Sequence, residues 1–304
     1  DILLRLERND PHLKNICLHH QDPYFPENND IEWFFLGHIL GNNTHIADLS
    51  ILNSFDGEAI STTNERALYA GLEHNRSIQN LHFTGPLPGL FGFIHPSNQF
   101  WEENTNLVQL DLNGLELGRR EMNTLYSIIT TKTKNLISFG ITHCWSIDAD
   151  CFLGEDDGLF SIFLRTLSNM DHSLKRLELQ GNTIGFPSLN KLVRTIRRWH
   201  PDLEELNLQD NIMGYFSCCA LASLLRDPTV CLSCLDLWSC SINDDCALLL
   251  ADALRHNNSL QFVNLRDNNF TVGGIGWKAF STLLCNKTSI VETFSSNHTL
   301  KCLG

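Results

Sequence analysis

At 304 residues, with 42% hydrophobic and 19% charged side chains, the chain holds enough apolar material for a continuous core, which excludes a disordered polymer. Its 22 Lys+Arg against 35 Asp+Glu leave a formal charge of -13, which excludes a broadly basic nucleic-acid or anionic-membrane surface and makes a basic patch on another protein the easier partner. No apolar run approaches the roughly 20 residues of a spanning helix, and the eleven cysteines, odd in number and scattered, read as reduced thiols.

The lead-in Asp1 to Pro11 places Ile2, Leu3, Leu4 and Leu6 on a helical turn that Asn9-Asp10-Pro11 stops, as a cap would. From Leu13 onward one frame recurs, apolar at its first, fourth, sixth and eleventh positions with Asn or Cys at the ninth. Copies begin at Leu13, Ile46, Ile78, Leu107, Leu136, Leu174, Leu203, Leu232, Leu260 and Ile290. The spacings are 33, 32, 29, 29, 38, 29, 29, 28 and 30 residues. The least distorted copies are Leu174-Leu177-Leu179-Asn182-Ile184, Leu203-Leu206-Leu208-Asn211-Met213, Leu232-Leu235-Leu237-Cys240-Ile242 and Leu260-Val263-Leu265-Asn268-Phe270.

Apolar residues at positions four and six predict a short strand with one buried face, and the ninth residue can satisfy backbone groups in the turn that follows. The second half of each unit reads as helix: Met122, Leu125, Tyr126 and Ile129, then Leu189, Leu192, Val193 and Ile196, fall at i, i+3, i+4 and i+7. Leu221, Leu224 and Leu225, and Phe280, Leu283 and Leu284, do so in part. Helices pack about 8–10 Å apart and strands about 4.8 Å, so such a stack bends with its strands on the concave side.

The frame is interrupted in three places. Tyr24 and Phe25 between Pro23 and Pro26 form an irregular excursion in the first unit. After Phe83 the expected helix gives way to Gly85-Pro86-Leu87-Pro88-Gly89-Leu90-Phe91-Gly92-Phe93, then Pro96, Phe100 and Trp101, where prolines and glycines forbid a regular helix over most of the stretch. Phe91, Phe93 and Trp101 either fill the core in place of that helix or form a docking ledge. The third interruption, Trp145 to Gly158, is acidic. Counted from Asp148, it has Phe152, Leu153 and Leu159 where a calcium loop needs an oxygen ligand, Gly and Glu, so it reads as solvated.

The frame resembles the leucine-rich repeat, in the long-repeat class of ribonuclease inhibitor and of the repeat domains in nucleotide-binding immune receptors; the lead-in is similar to that of the tropomodulin repeat domain. The resemblance implies an α/β fold, a right-handed solenoid or horseshoe of about ten units. Its bounds are a cap at 1–12, repeats at 13–289 and a terminal partial repeat at 290–304, in one domain. It also implies a non-enzymatic scaffold or assembly subunit for another protein. Two alternatives stand beside it: a GTPase-activating regulator similar to the Ran-activating repeat proteins, whose acidic tail this chain lacks, and a ligand-sensing fragment of an immune-type receptor.

Positions three, five and seven point away from the core and define the candidate surface. Toward its C-terminal half Glu178, Glu205 and Asp236 meet Trp238, Phe262 and Arg266, the residue types that carry interface energy. Position seven reads Trp238 where a hydrophilic residue is expected. Cys231-x-x-Cys234 with Cys240 and Cys246 is not read as zinc-binding, because the frame aims these thiols in different directions. The histidines near the strands (His19, His20, His82, His143) match no catalytic motif, and Gly273-Gly274-Ile275-Gly276 lacks a dinucleotide fingerprint. No cofactor or metal is expected. The reduced thiols place the chain inside a cell, with the cytoplasm the expected compartment, while six Asn-x-Ser/Thr sequons leave an organelle or secretion open. Three of these, Asn75, Asn257 and Asn286, are assigned to the same turn before a strand.

Overall fold

The computed structural model describes residues 2–19, 30–53, 60–144, 158–170, 174–271 and 273–304. The expectations at His20, at Pro23 to Pro26 and along Trp145 to Asp157 lie outside them, as does the side chain of Phe294. The chain divides into two compact units, residues 1–144 with 155–171, and residues 145–154 with 172–304.

In the first unit, α1 (Ile2–Glu7) ends at Asn9, whose φ of 51° turns the chain out of the helix. Strands β1 (Asn15–His19), β2 (Asp48–Leu52), β3 (Asn80–Thr84), β4 (Gln109–Asn113) and β5 (Ser138–Thr142) follow in sequence order, each parallel to the next. Between them run α2 (Asp30–Asn42), α3 (Thr62–Leu72), the short α4 (Leu90–Phe93) and α5 (Gln99–Glu103), and α6 (Arg119–Thr131); α7 (Leu159–Asn169) closes the unit. Each apolar position four sits opposite the next one, Ile16 with Leu49, Leu81, Leu110 and Phe139, so one continuous row is buried. Helices α2 and α3 touch backbone to backbone: a Cβ on Gly37 would lie 2.1 Å from the Leu68 carbonyl oxygen, so that crossing needs glycine.

The second unit alternates β6 (Arg176–Glu178), α8 (Ser188–Trp199), β7 (Glu205–Asn207), α9 (Tyr215–Leu225), β8 (Cys234–Asp236), α10 (Asp244–Leu254), β9 (Phe262–Asn264), α11 (Ile275–Leu284), α12 (Ile290–Phe294) and β10 (Cys302–Leu303). All its strand pairs are parallel. The helical periodicity holds: Leu189, Leu192, Val193 and Ile196 are all buried on α8, as are Leu221, Leu224 and Leu225 on α9, although Leu284 on α11 is exposed. Each unit is an α/β leucine-rich repeat solenoid.

Two asparagine series join the repeats. At the turn before each frame, Asn75 donates to the carbonyls of Leu40 (2.7 Å) and Asn43 (3.0 Å) and accepts from the N–H groups of Ser77 (2.8 Å) and Ile78 (2.9 Å). Asn257 and Asn297 repeat this arrangement. At the ninth position Asn211 donates to Leu179, Leu208 and Gln209, and Cys240 donates its S–H to Leu208, as the frame predicts. The residue before it, position eight, is left-handed at Gly85, Gly114, His143, Gly181, Asp210, Ser239 and Asp267, with φ between 52° and 91°. The backbone N–H of Gly181, Asp210 and Ser239 there donates to position seven of the following repeat.

The last copy is corrected. Ile290 to Phe294 forms α12, and the strand pairing with β9 is Cys302–Leu303, with Cys302 opposite Phe262. The frame therefore restarts at Leu300, and Glu292, Phe294 and Ser296 are not strand positions. Asn286-Lys-Thr-Ser-Ile mimics the turn, but the buried Asn297 makes the inter-repeat hydrogen bonds.

Candidate functional site

In the first unit positions three, five and seven of β1 to β4 are at least partly exposed while four and six are buried, which bears out the outward face. On β5 only Thr142 emerges. The register brings Asp48, His82 and Asp111 from three adjacent strands together. His82 Nδ1 lies 2.8 Å from Asp111 and Nε2 3.7 Å from Asp48. Gln109 donates to the same Asp111 oxygen at 2.7 Å, and the hydrogen bond to Asp111 raises the imidazole pKa above its ordinary value against the opposing cost of burial. Residue spacing alone does not group these three, because each lies in a different repeat.

The second unit presents the acidic and aromatic set. Asp236 accepts from the Trp238 N–H at 2.9 Å and from Asn264 at 3.2 Å. Asn207 and Asn264 likewise accept from the N–H two residues on, at Gln209 and Arg266. At Asn207, Asp236 and Asn264 these turns follow strands of three residues. Trp238 sits on the bend, half-buried, beside the strand face. Arg176 makes a bidentate pair with Glu205 at 2.5 and 2.9 Å and holds that carboxylate below its ordinary range. The Cys234 thiol is pushed up, first by burial and then by Glu205, Asp236 and Glu178, with Arg176 opposing. Phe262 is half-buried and Arg266 exposed on the same face.

Phe93 and Trp101 are withdrawn as docking contacts. Both are buried: Phe93 packs against Tyr69 at 5.2 Å and Trp101 at 5.6 Å, and the Trp101 indole donates to the Phe93 carbonyl at 2.7 Å. With Leu90 and Phe100 they fill the volume that a helix fills elsewhere, and only Phe91 keeps part of its surface. Gly85 starts the detour with φ of 91°, and a Cβ there would lie 1.9 Å from the Asn53 carbonyl oxygen.

The thiols separate as the frame requires. Cys231 is exposed, Cys234 lies on the strand face and Cys240 is buried in the turn. Cys246 instead meets Cys218 of the neighbouring helix. The two buried thiols are hydrogen-bonded to each other, which shifts the Cys218 pKa up and the Cys246 pKa down. Among the described residues no three His, Cys, Asp or Glu side chains converge as metal ligands, and no helix is long and apolar enough to cross a membrane. Sequence reasoning missed a further apolar group, Phe186, Ile212, Tyr215 and Phe216, all exposed.

Parallel strands in repeat register, backed by helices and joined by asparagine hydrogen bonds, define a leucine-rich repeat protein. The sequence matches no protein-family profile and no curated protein. Among solved structures, leiomodin-1 actin-binding site 2 aligns with 45% of this chain and 75% of its own length, at 16% identity and a TM-score of 0.34. At that score the likeness carries no argument.

Proposed function

We propose that the protein is a non-enzymatic binding scaffold or assembly subunit that holds another protein on the strand face of its second unit. The observation that carries this reading is Trp238, a large indole left half-exposed beside Asp236 at the end of a strand face that also bears Glu178 and Glu205. Glu178, Glu205 and Asp236 favour a partner with a basic patch, and Phe262 and Arg266 extend the contact; the core of the first unit makes no part of it. Repeat spacings of 28 and 29 residues support the ribonuclease-inhibitor-like class. Ten cysteines among the described residues are free thiols, which supports an intracellular compartment.

The test is a pull-down from the native source with the unaltered chain, Trp238→Ala and Asp236→Lys side by side, followed by mass spectrometry. A protein retained by the unaltered chain and lost by both variants supports the reading. Loss of about 1 kcal/mol or more of affinity for that protein is expected from Trp238→Ala. Retention of every captured protein by both variants overturns it.

A further inference from the structure

Away from the strands, the second unit carries a surface of opposite character. Phe186 and Phe216, 50% and 64% exposed, lie against each other with tilted rings at 5.5 Å, and Tyr215 packs edge-on against Phe216 at 5.8 Å. With the exposed Ile212 they form an apolar ridge at the N-terminal ends of α8 and α9. Single exposed apolar residues need no explanation, whereas four in contact or adjacent across two repeats mark an interaction surface.

Helix α8 supplies the second observation. It carries Lys191, Arg194, Arg197 and Arg198 and no acidic residue, in a chain whose net charge is -13. Its core-facing residues are Leu189, Leu192, Val193 and Ile196, so Lys191, Arg194 and Arg198, at i, i+3 and i+7, share the opposite stripe. Arg197 turns aside to pair with Asp227 at 2.5 Å. The other three form no ion pair among the described residues, and Arg198 lies over the Trp199 ring at 5.2 Å. From Lys191 to Arg198 the stripe is about 10 Å long at 1.5 Å per residue.

We infer that this ridge and stripe dock a short acidic segment of another protein, with bulky apolar side chains on Phe186, Ile212, Tyr215 and Phe216 and carboxylates along Lys191, Arg194 and Arg198. Charge complementarity selects the acidic partner. The boundaries of the patch select a peptide over an anionic bilayer: the exposed Asp202 follows α8 and the exposed Asp245 stands on α10 beyond α9, while Glu204 and Asp252 are paired with Lys175 and Arg226. The three cations occupy about 10 Å of a single helix, whereas an extended anionic plane spans several helices about 8–10 Å apart and meets the acids beyond them. A peptide lying along one helix avoids them. This surface is separate from the strand face and from Trp238.

The probe is a fluorescein-labelled peptide of Trp-Leu-Phe flanked by runs of glutamate, followed by fluorescence anisotropy at low and moderate salt. Its controls replace the glutamates with lysine or the Trp-Leu-Phe with alanine. The expected result is binding of the first peptide, weakened at least tenfold by Phe186→Ala with Phe216→Ala, and by Lys191→Glu with Arg194→Glu and Arg198→Glu, and unchanged by Trp238→Ala. Circular dichroism checks the fold, and Arg194→Glu alone, a single change at an exposed residue, is expected to weaken binding in the same direction. The proposal is overturned if the glutamate peptide does not bind below about 1 mM, if a control binds equally, or if the variants bind as the unaltered chain does. It is also overturned if those substitutions abolish co-sedimentation with phosphatidylserine vesicles while leaving peptide binding intact.

Discussion

Replacing Glu65 with glutamine is expected to flatten the pH dependence of stability. Glu65 is buried on α3, one carboxyl oxygen accepts the Gly89 N–H, and the other has no hydrogen-bond partner among the described residues. Burial raises its pKa from 4.5 to about 7, and the Gly89 hydrogen bond offsets this only in part. An acid raised in the folded state binds more protons than its unfolded counterpart between those two values. Stability therefore falls as pH rises from about 4.5 through about 7, and the loss is complete above that window. At 1.36 kcal/mol per unit the full loss is about 3 kcal/mol. Urea unfolding followed by circular dichroism at pH 5 and pH 8 measures it. The comparison is the change between the two pH values within each protein, from which any pH-independent cost of the buried amide cancels. Because part of the loss is already complete at pH 5, Glu65→Gln should lose about 2.5 kcal/mol less than the unaltered chain over this interval; equal losses would refute the reasoning.

Asp111→Asn should lower the His82 pKa, read from the imidazole resonances by NMR, because it removes the main group that raises it. In the unaltered chain His82 contributes stability that is present below its ordinary value of 6.5 and is lost as pH rises through its raised folded value. Asn75→Ala leaves two carbonyls and two N–H groups without their partner and should cost about 2–4 kcal/mol in thermal or urea unfolding. If the chain is expressed through a secretory route, mass spectrometry should find Asn75, Asn257 and Asn297 unglycosylated, since each side-chain amide is buried and donates to backbone carbonyls. Gly85→Ala should cost more than about 2 kcal/mol, because the left-handed backbone and the Asn53 carbonyl both oppose a Cβ.

The apolar frame was legible because its period is local. Leu177, Leu206 and Leu235 face the core in every copy, and the same alternation named the outward residues from Glu178 to Trp238. The frame failed at its end because two asparagines, Asn286 and Asn297, each precede a hydroxyl residue and then an apolar one. Pairing with Phe262, which lies far away in sequence, decides between them. The left-handed position eight went unread, although Gly85, Gly114 and Gly181 recur there. Asp210, Ser239 and Asp267 adopt the same left-handed backbone without glycine's signature.

Taken by itself, the sequence determined the repeat, the alternation of strand and helix, the outward strand positions of most copies and the turn asparagines Asn75 and Asn257, because those depend on residues within one repeat of each other; pairing with β9 put Asn297 in the place assigned to Asn286. Tertiary structure alone decided that Phe93 and Trp101 are core, that His82 stands between two aspartates and that Glu65 is buried against Gly89. It also decided that the aromatic residues before and at the start of α8 and α9 meet at the surface. Each of those outcomes depends on which repeats become neighbours and on what fills the space left by a missing helix, and no pattern of spacing along the chain carries that information.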